Sequence, residues 1–207
     1  MKALVFDLGA VLLNISYQKT IKEFEKLGVK NFQKQFSKAE QSGVFEQFEK
    51  GEISEAEWIV EMQNLAGDLS AQAIKKAWND MLLDFPEHRL WMLEELAAKY
   101  PIYLLSNTNI THIEYCRAHY NSPVDWNHFE GLFDELFLSY EVGMRKPDHE
   151  IFLHVQTELG LAAKDIWYVD DSPQHVETAL ELGWDAHHLK EGVDVTELVE
   201  ATMISSS

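Results

Sequence analysis

Short apolar segments that each end in a polar residue constrain the fold of this 207-residue chain more than any other feature. The first segment runs from Ala3 to Phe6 and is followed directly by Asp7. Similar segments follow farther along the chain, at 102–105, 136–138, 166–169 and, in a shorter form, 184–188. A short run without alternating polar residues is typical of a strand that is buried on both faces of a parallel sheet.

Amphipathic helical patterns fill the gaps between these segments. They cover about 86–100, 110–120, 148–159, 173–182 and 195–203. Strands that alternate with helices predict an α/β fold, in which a parallel sheet core is covered by helices on both faces. Ligands of such sheets bind beyond the carboxyl ends of the strands. The polar residues that end the apolar segments therefore point to a functional site at that edge of the sheet.

The region from 16 to 87 has a different pattern, because helical periods follow one another there without a strand-like segment. Helices are predicted at 17–27, 32–40, 55–65 and 71–83, with a turn around 46–51. Ser54 and Glu57 form a capping-box signature, which marks the start of a helix. We therefore predict two domains. Residues 1–15 and 88–207 form a discontinuous α/β core domain, and residues 16–87 form an all-helical domain inserted after the first strand.

Composition and charge exclude several classes of function. The chain has 35 acidic and 17 basic residues, and its formal net charge of −18 repels the phosphate backbone of nucleic acids. Its single cysteine excludes an intramolecular disulfide and a cysteine-rich zinc site. No apolar run approaches the roughly 20 residues that span a membrane, and the first apolar run is too short for a signal peptide. We expect a cytoplasmic monomer or homodimer that binds neither nucleic acid nor membranes.

Two of the strand ends carry residues suited to phosphate chemistry. Asp7 is a candidate nucleophile or metal ligand, although an aspartate close to a glycine is also typical of a turn. Ser106 and Asn107 lie between a strand and a helix, where a hydroxyl and backbone amides can bind a phosphate. The alternative for this pair is that it caps the helix that follows.

Two further strand ends carry charge. Lys146 precedes a proline, which holds its backbone extended, and its ammonium could neutralise a phosphate together with a carboxylate. An exposed basic turn is the alternative for Lys146. The adjacent carboxylates of Asp170 and Asp171 are ligands of the kind that Mg²⁺ prefers. Alternatively, Ser172 caps the helix that Pro173 begins, and both aspartates favour the positive end of that helix.

In their order along the chain, the four strand ends resemble the four motifs of the haloacid dehalogenase-like superfamily. The corresponding segments are 6–11, 105–107, 146–147 and 169–171. The resemblance spans the whole chain and places residues 16–87 where this family has a helical cap. The segments 51–54, 106–109 and 143–147 are similar to a bacterial branch of sugar-phosphate phosphatases, typified by α-glucose-1-phosphate phosphatase.

The resemblance implies a Rossmann-like core and a phosphatase that forms an aspartyl-phosphate on Asp7. It also implies Mg²⁺ as the cofactor. The implied ligands are Asp7, the backbone carbonyl of Gly9, Asp171 and, directly or through water, Asp170.

Two further implications concern the phosphoryl group. Ser106 and the amide of Asn107 would bind its oxygens, and Lys146 would offset the negative charge collected around it. The implied substrate is a small phosphorylated metabolite, a sugar phosphate such as glucose 1-phosphate.

Gly9 departs from the pattern of most phosphatases in this family, which have an aspartate there as the general acid and base. Such catalysis is typically worth about 10²–10⁴-fold in rate. The glucose-phosphatase branch shares the glycine. We therefore hypothesise a substrate whose leaving group is easily displaced, such as an anomeric, acyl or aryl phosphate. His175, which follows Asp171 by four residues, is an alternative acid and base, although a partly exposed histidine on a helix is the simpler interpretation and the one we favour.

Two other functions are compatible with the same motifs. A metal-independent haloacid dehalogenase would attack carbon with the same aspartate, but it would not require the Asp170–Asp171 pair. A non-catalytic sensor of phosphorylated metabolites is suggested by Gly9, but it would not require the nucleophile Asp7.

Overall fold

Five strands form a parallel sheet in the computed structural model, which describes residues 2–30, 32–35, 43–67, 69–120, 122 and 124–204. The strands are β1 (Ala3–Phe6), β2 (Ile102–Ser106), β3 (Glu135–Leu138), β4 (Ile166–Asp170) and β5 (Asp185–His188). Their order is β3-β2-β1-β4-β5, with each neighbouring pair parallel. All five predicted strands are confirmed. Because β1 is central, the residues that follow it lie between the ends of β2 and β4.

Helices replace strands between β1 and β2, as predicted. This helical insertion contains α1 (Tyr17–Lys26), α2 (Phe32–Gln35), α3 (Val44–Glu49), α4 (Glu55–Ala66) and α5 (Ala71–Asn79). The later part of the predicted helix 32–40 lies outside the described residues. The capping box at the start of α4 is present, because Ser54 and Glu57 each accept the other's backbone N–H.

The predicted turn around 46–51 is wrong, since Val44–Glu49 is a helix. Its apolar side chains explain why so short a helix forms. Phe48 stacks on Trp58 with ring centroids 4.8 Å apart, and Phe45 stacks on Trp78 at 5.4 Å. Packing therefore supplies the stability that a helix of six residues lacks by itself.

The two ends of the insertion are paired with each other. Asn14 donates its N–H to Asp84 O (3.0 Å), Leu83 donates to Asn14 O (2.9 Å), and Ser16 donates to Met81 O (2.8 Å). This antiparallel pairing takes up residues 81–84, so α5 ends at Asn79 and not near 83 as predicted. The chain therefore leaves and returns to the sheet at one place.

The remaining helices surround the sheet. They are α6 (Glu87–Ala97), α7 (Ile110–His119), α8 (Trp126–Glu130), α9 (Ser139–Val142), α10 (His149–Leu159), α11 (Pro173–Glu181) and α12 (Val195–Ile204), with a 3₁₀ turn at Ala163–Asp165. Alternate residues of β1 enter apolar clusters on opposite faces. Leu4 and Phe6 pack with α6 and α7, whereas Val5 packs with α10. Both faces of the sheet are thus covered.

The helical insertion has an apolar interior of its own. Among the described residues, twelve buried ones from α1 to Met81 form a cluster that includes Phe24, Phe48, Trp58 and Trp78. This cluster is separate from the two that flank the sheet. None of the helices in the described ranges combines the length and the apolar character that crossing a membrane requires.

Candidate active site

Lys146 lies between the carboxylates at the ends of the strands. Its side chain is fully buried, and its ammonium donates to Asp7 Oδ1 (2.8 Å), Asp170 Oδ2 (2.6 Å) and the carbonyl of Leu105 (2.8 Å). These bonds use all three donors of an ammonium group. Burial opposes the charge of Lys146, but the carboxylates of Asp170 and Asp7 outweigh burial and raise its pKa. The alternative of an exposed basic turn is therefore wrong.

Asp170 is buried and receives hydrogen bonds from several directions besides Lys146. The hydroxyl of Tyr168 donates to Oδ2, the N–H of Ser172 donates to Oδ1 (2.7 Å), and His175 Nδ1 lies 3.0 Å from both oxygens. Burial by itself would raise the pKa of this carboxyl, but Lys146 and His175 hold the pKa well below its ordinary value. Asp170 is consequently an ionised partner that fixes the position of Lys146.

Asp7 extends from the end of β1 and is 7% exposed. Burial raises the pKa of Asp7 to about 7, Lys146 acts against this rise, and the charges of Asp170 and Asp171 add to it. Like charges in one buried place are unfavourable unless a cation or further donors offset them. A bound cation would therefore reduce the repulsion between these carboxylates and stabilise their ionised forms.

Oxygen atoms of Asp7, Asp170 and Asp171 lie within 4.8 Å of one another and could hold a metal ion together. Hard carboxylate ligands of this kind fit Mg²⁺. Asp170 is a member of this group whose two oxygens are already engaged by donors of the protein.

Ser106 and Asn107 line the same cavity as Asp7. The side chain of Asn107 donates to the carbonyl of Lys146 (2.8 Å) and accepts its N–H (2.9 Å), which joins the loops after β2 and β3. Asn109 caps α7, because its side chain accepts the N–H of His112 (3.1 Å). The capping alternative for Ser106 and Asn107 is therefore wrong.

The helical insertion contributes a second set of residues to this cavity, none of which the sequence analysis assigned to the site. They are Tyr17, Glu49, Trp78, Met81 and Leu82. The buried indole of Trp78 donates to Asn109 Oδ1 (3.2 Å) and stacks on His112 with centroids 4.9 Å apart. The sequence contains a pattern that could have indicated Glu49, because this residue follows Phe45 by four positions and so lies on the apolar side of a helix. No comparable pattern indicates that Tyr17 or Met81 lines the cavity.

Glu49 and Arg145 form an ion pair across the cavity. Arg145 Nη2 lies 3.1 Å from Glu49 Oε2, and the two side chains are 12% and 9% exposed. Burial raises the pKa of Glu49 to about 7, while Arg145 acts against this rise. The pair links α3 of the insertion to the loop that carries Lys146.

Two histidines also line the cavity. His175 contacts Asp170, so its position fits the alternative acid and base that the sequence suggested, and burial lowers its pKa. Burial lowers the pKa of His112 to about 3, so its imidazole is neutral. At Gly9, an added Cβ would lie 3.2 Å from Ile15 Cδ1. The side chain of Ile15 thus takes up space beside position 9, where the resemblance described above leads us to expect an aspartate in most phosphatases of that family.

Comparison with known protein families agrees with this arrangement of strand ends. A family model described as haloacid dehalogenase-like hydrolase matches residues 1–183. The chain belongs to this family. The resemblance carried by the four strand-end segments is therefore confirmed.

Three similar proteins place the chain within the haloacid dehalogenase-like hydrolases. A D-ribitol-5-phosphate phosphatase of Bacteroides thetaiotaomicron is 29% identical over 209 residues, which is 100% of both chains. A family enzyme from the same organism was crystallised as a variant in complex with magnesium and inorganic phosphate. It is 35% identical to this chain, and the two structures superpose with a TM-score of 0.89. The match covers 96% of this chain and 98% of that chain. A predicted hydrolase of this type from Porphyromonas gingivalis is 25% identical, with a TM-score of 0.88 and 98% coverage of both chains.

Proposed function

We propose that the protein is a Mg²⁺-dependent phosphatase of a small hydroxylated phosphate monoester. The observation that carries this proposal is the buried ammonium of Lys146, which joins Asp7 to Asp170 while Asp171 lies within 4.8 Å of both carboxylates. Separated strands thereby bring three carboxylates and an ammonium together, which supports Asp7 as the nucleophile and Asp170 and Asp171 as the cation-binding pair. The similar enzyme crystallised with magnesium and phosphate, and the similar ribitol phosphate phosphatase, support the same chemistry.

In the proposed reaction, an Asp7 oxygen attacks phosphorus while the bond from phosphorus to the leaving alcohol breaks, which yields an aspartyl-phosphate. Water then hydrolyses this intermediate, releases phosphate and restores the carboxylate. Lys146 holds Asp7 in position and offsets its charge. Because a loose phosphoryl-transfer transition state requires positioning and charge stabilisation, these contacts are the main contribution of the chain.

Asp7, Asp171 and the backbone carbonyl of Gly9 would hold Mg²⁺, with Asp170 acting through water. The ion would offset the like charges of the carboxylates and of the phosphate. Ser106 and the backbone amide of Asn107 would bind phosphoryl oxygens.

The helical insertion, residues 16–87, acts in this proposal as a cap. Its residues Tyr17, Glu49 and Trp78 face the strand ends across the cavity. A cap over the strand ends excludes bulk water and restricts access to small substrates. Large phosphoproteins would be hindered for the same reason.

Two substrate classes follow from different observations. Gly9 favours a sugar 1-phosphate such as glucose 1-phosphate, since an anomeric hydroxyl leaves with less help from an acid. The similar enzyme is named for ribitol 5-phosphate, which is the ester of a primary alcohol. If this chain prefers such an ester, a residue other than position 9 protonates the leaving group, and His175 is the candidate that the cavity offers.

The proposal is tested by phosphate release from glucose 1-phosphate, glucose 6-phosphate, ribitol 5-phosphate and para-nitrophenyl phosphate, with Mg²⁺ and with a chelator. We expect turnover that requires Mg²⁺ and that falls by at least about 10⁴-fold in Asp7→Asn. Asp185→Asn, an exposed aspartate at the start of β5, is the matched control and keeps wild-type activity.

Other outcomes of this experiment would replace the proposal. Halide release from 2-haloacids without metal would identify a dehalogenase, and saturable phosphate binding without turnover of any ester would identify a sensor. Equal rates on glucose 1-phosphate and glucose 6-phosphate would show that the leaving-group hypothesis is wrong.

A further inference from the structure

Glu49 introduces negative charge into a cavity that already contains Asp7 and Asp171. A carboxylate repels a phosphate group, so Glu49 is unsuited to bind the phosphoryl end of a substrate. It does suit neutral hydroxyl groups, because an ionised carboxylate accepts strong hydrogen bonds from them. The part of a phosphate ester that Glu49 can recognise is therefore its polyhydroxylated carbon chain.

The position of Glu49 is fixed from both sides of the cavity. Arg145 holds its carboxylate at 3.1 Å. Two residues later, Gly51 has φ +65°, and a Cβ at this position would lie 2.2 Å from the carbonyl oxygen of Tyr140 in α9. The backbone that follows α3 thus lies directly against the loop and helix after β3. Glu49 is held in place relative to Lys146, which is carried by the same connection.

A purely structural role explains the pair poorly. A buried ion pair is often no more stabilising than apolar residues of similar volume, because both charges lose their water. Phe45 and Phe48 of the same helix show that the insertion fills its interior with apolar residues. The pair lies instead on the wall of the cavity, where Glu49 has acceptor capacity beyond its one ion pair.

We infer that Glu49 is a substrate-binding residue, which accepts hydrogen bonds from the hydroxyl groups of a sugar or polyol phosphate and is held for this task by Arg145. This inference rests on the proposed function and names the feature of the substrate that the insertion selects. Arg145 neutralises Glu49, so that the phosphate end can still bind nearby.

The test compares kcat/KM for ribitol 5-phosphate and for para-nitrophenyl phosphate, which has no hydroxyl groups on its leaving group. We expect Glu49→Ala to lower kcat/KM for ribitol 5-phosphate by about 10- to 100-fold more than for para-nitrophenyl phosphate. Glu49→Gln retains one acceptor oxygen. Its ratio of kcat/KM for ribitol 5-phosphate to kcat/KM for para-nitrophenyl phosphate should therefore lie between the ratios of wild type and Glu49→Ala. Glu52→Gln, an exposed neighbour that pairs with Lys50, is the control and keeps both values.

Equal losses of kcat/KM for the two substrates would overturn the inference, because they would mean that Glu49 only stabilises the structure of the site. A binding measurement separates this failure from a failure of the proposed function. In the Asp7→Asn background, calorimetry with Mg²⁺ compares inorganic phosphate with ribitol 5-phosphate. If Glu49→Ala weakens binding of the polyol phosphate selectively, the inference holds even where the wild type shows no turnover. If it weakens both equally, the inference is wrong.

Discussion

The strand ends and the helical insertion supply polar groups to one cavity in different ways. At the strand ends, Lys146 and Asp170 are each held by several hydrogen bonds from the surrounding sheet and loops. Across the cavity, Glu49 of the insertion has one ion pair with Arg145. The strand ends are thus a densely connected charged cluster, whereas the described part of the insertion lines the cavity with the carboxylate of Glu49 beside aromatic and apolar side chains.

In the proposed function, this difference corresponds to two roles: the strand ends carry out phosphoryl transfer, and the insertion selects the substrate. Phosphoryl transfer needs groups that are already in position before the substrate arrives, and parallel strands provide them. A helical insertion with its own apolar interior can change its cavity-facing residues without disturbing those strands. Among the described residues, its polar contacts with the sheet side include Thr111 Oγ1 to Glu55 (2.6 Å) and Trp78 Nε1 to Asn109 (3.2 Å).

The largest effect is expected from Lys146→Met. This variant leaves Asp7 and Asp170 buried without their shared cation, so we expect a loss of about 3–5 kcal/mol in the free energy of unfolding. Urea unfolding in the absence of Mg²⁺ measures it, with the exposed Lys164→Met as control. A loss no larger than that of the control would mean that the charged cluster is open to water, and the contrast between the two regions would disappear.

The next effect is a pH dependence that belongs to the insertion. Burial raises the pKa of Glu49 to about 7 from an ordinary value of 4.5. The folded protein therefore holds this proton more tightly than the unfolded chain, and the associated stability is present below pH 4.5 and is lost as the pH rises through 7. Relative to Glu49→Gln, wild type should lose roughly 2.5 kcal/mol between pH 5 and pH 8.

Urea unfolding of both proteins at pH 5, 6, 7 and 8 measures this difference. The charged groups that act on Glu49 are Arg145 and Lys146, which favour its ionised form, and Glu46, which opposes it. Because other titrating groups are common to both proteins, they cancel. Parallel pH profiles would show that Glu49 is solvated in solution and that the insertion does not close over the strand ends.

Gly51→Ala sharpens the comparison at the contact between the two regions. A Cβ at position 51 would meet the backbone oxygen of Tyr140 at 2.2 Å, so α9 or the insertion must shift. Gly160 has a similar φ, +62°, with no atom within 4 Å of an added Cβ, and it controls for backbone strain. We expect Gly51→Ala to cost about 2 kcal/mol more than Gly160→Ala in thermal or urea unfolding. Equal costs would indicate that the insertion lies away from α9.

The smallest effect concerns the insertion alone. Ser54→Ala removes the capping box of α4, which should cost about 1 kcal/mol of stability. Ser54→Thr retains a capping hydroxyl and is the control. Because Ser54 is exposed and outside the cavity, we expect kcat/KM to stay at the wild-type value. A drop in kcat/KM would show that local stability of the insertion limits catalysis.

Much of the fold was predictable from local pattern. All five strands and the position of the insertion were predicted, because each depends on residues that are neighbours in the chain. The errors occurred where distant contacts decide the structure. The helix Val44–Glu49 needs the aromatic rings of Trp58 and Trp78, and the early end of α5 results from pairing between 81–84 and 14–16.

The same division applies to the candidate site. Asp7, Ser106, Lys146 and Asp170 were identified because strand ends in a parallel sheet meet at one edge, whatever the details of packing. Tyr17, by contrast, reaches the cavity only through the way α1 packs. No local pattern distinguishes it from the other aromatic residues of the insertion.

By itself, the sequence determined the sheet, the insertion and the set of polar residues at the strand ends. These features follow from periodicity and strand direction, which are local properties. Only the tertiary structure decided that the ammonium of Lys146 reaches Asp7, 139 positions away, as well as Asp170, 24 positions away. It likewise decided that Glu49 meets Arg145 across the cavity. The physical reason is that contacts between side chains distant in the chain depend on how whole helices pack, and this packing is a collective result that no single segment encodes.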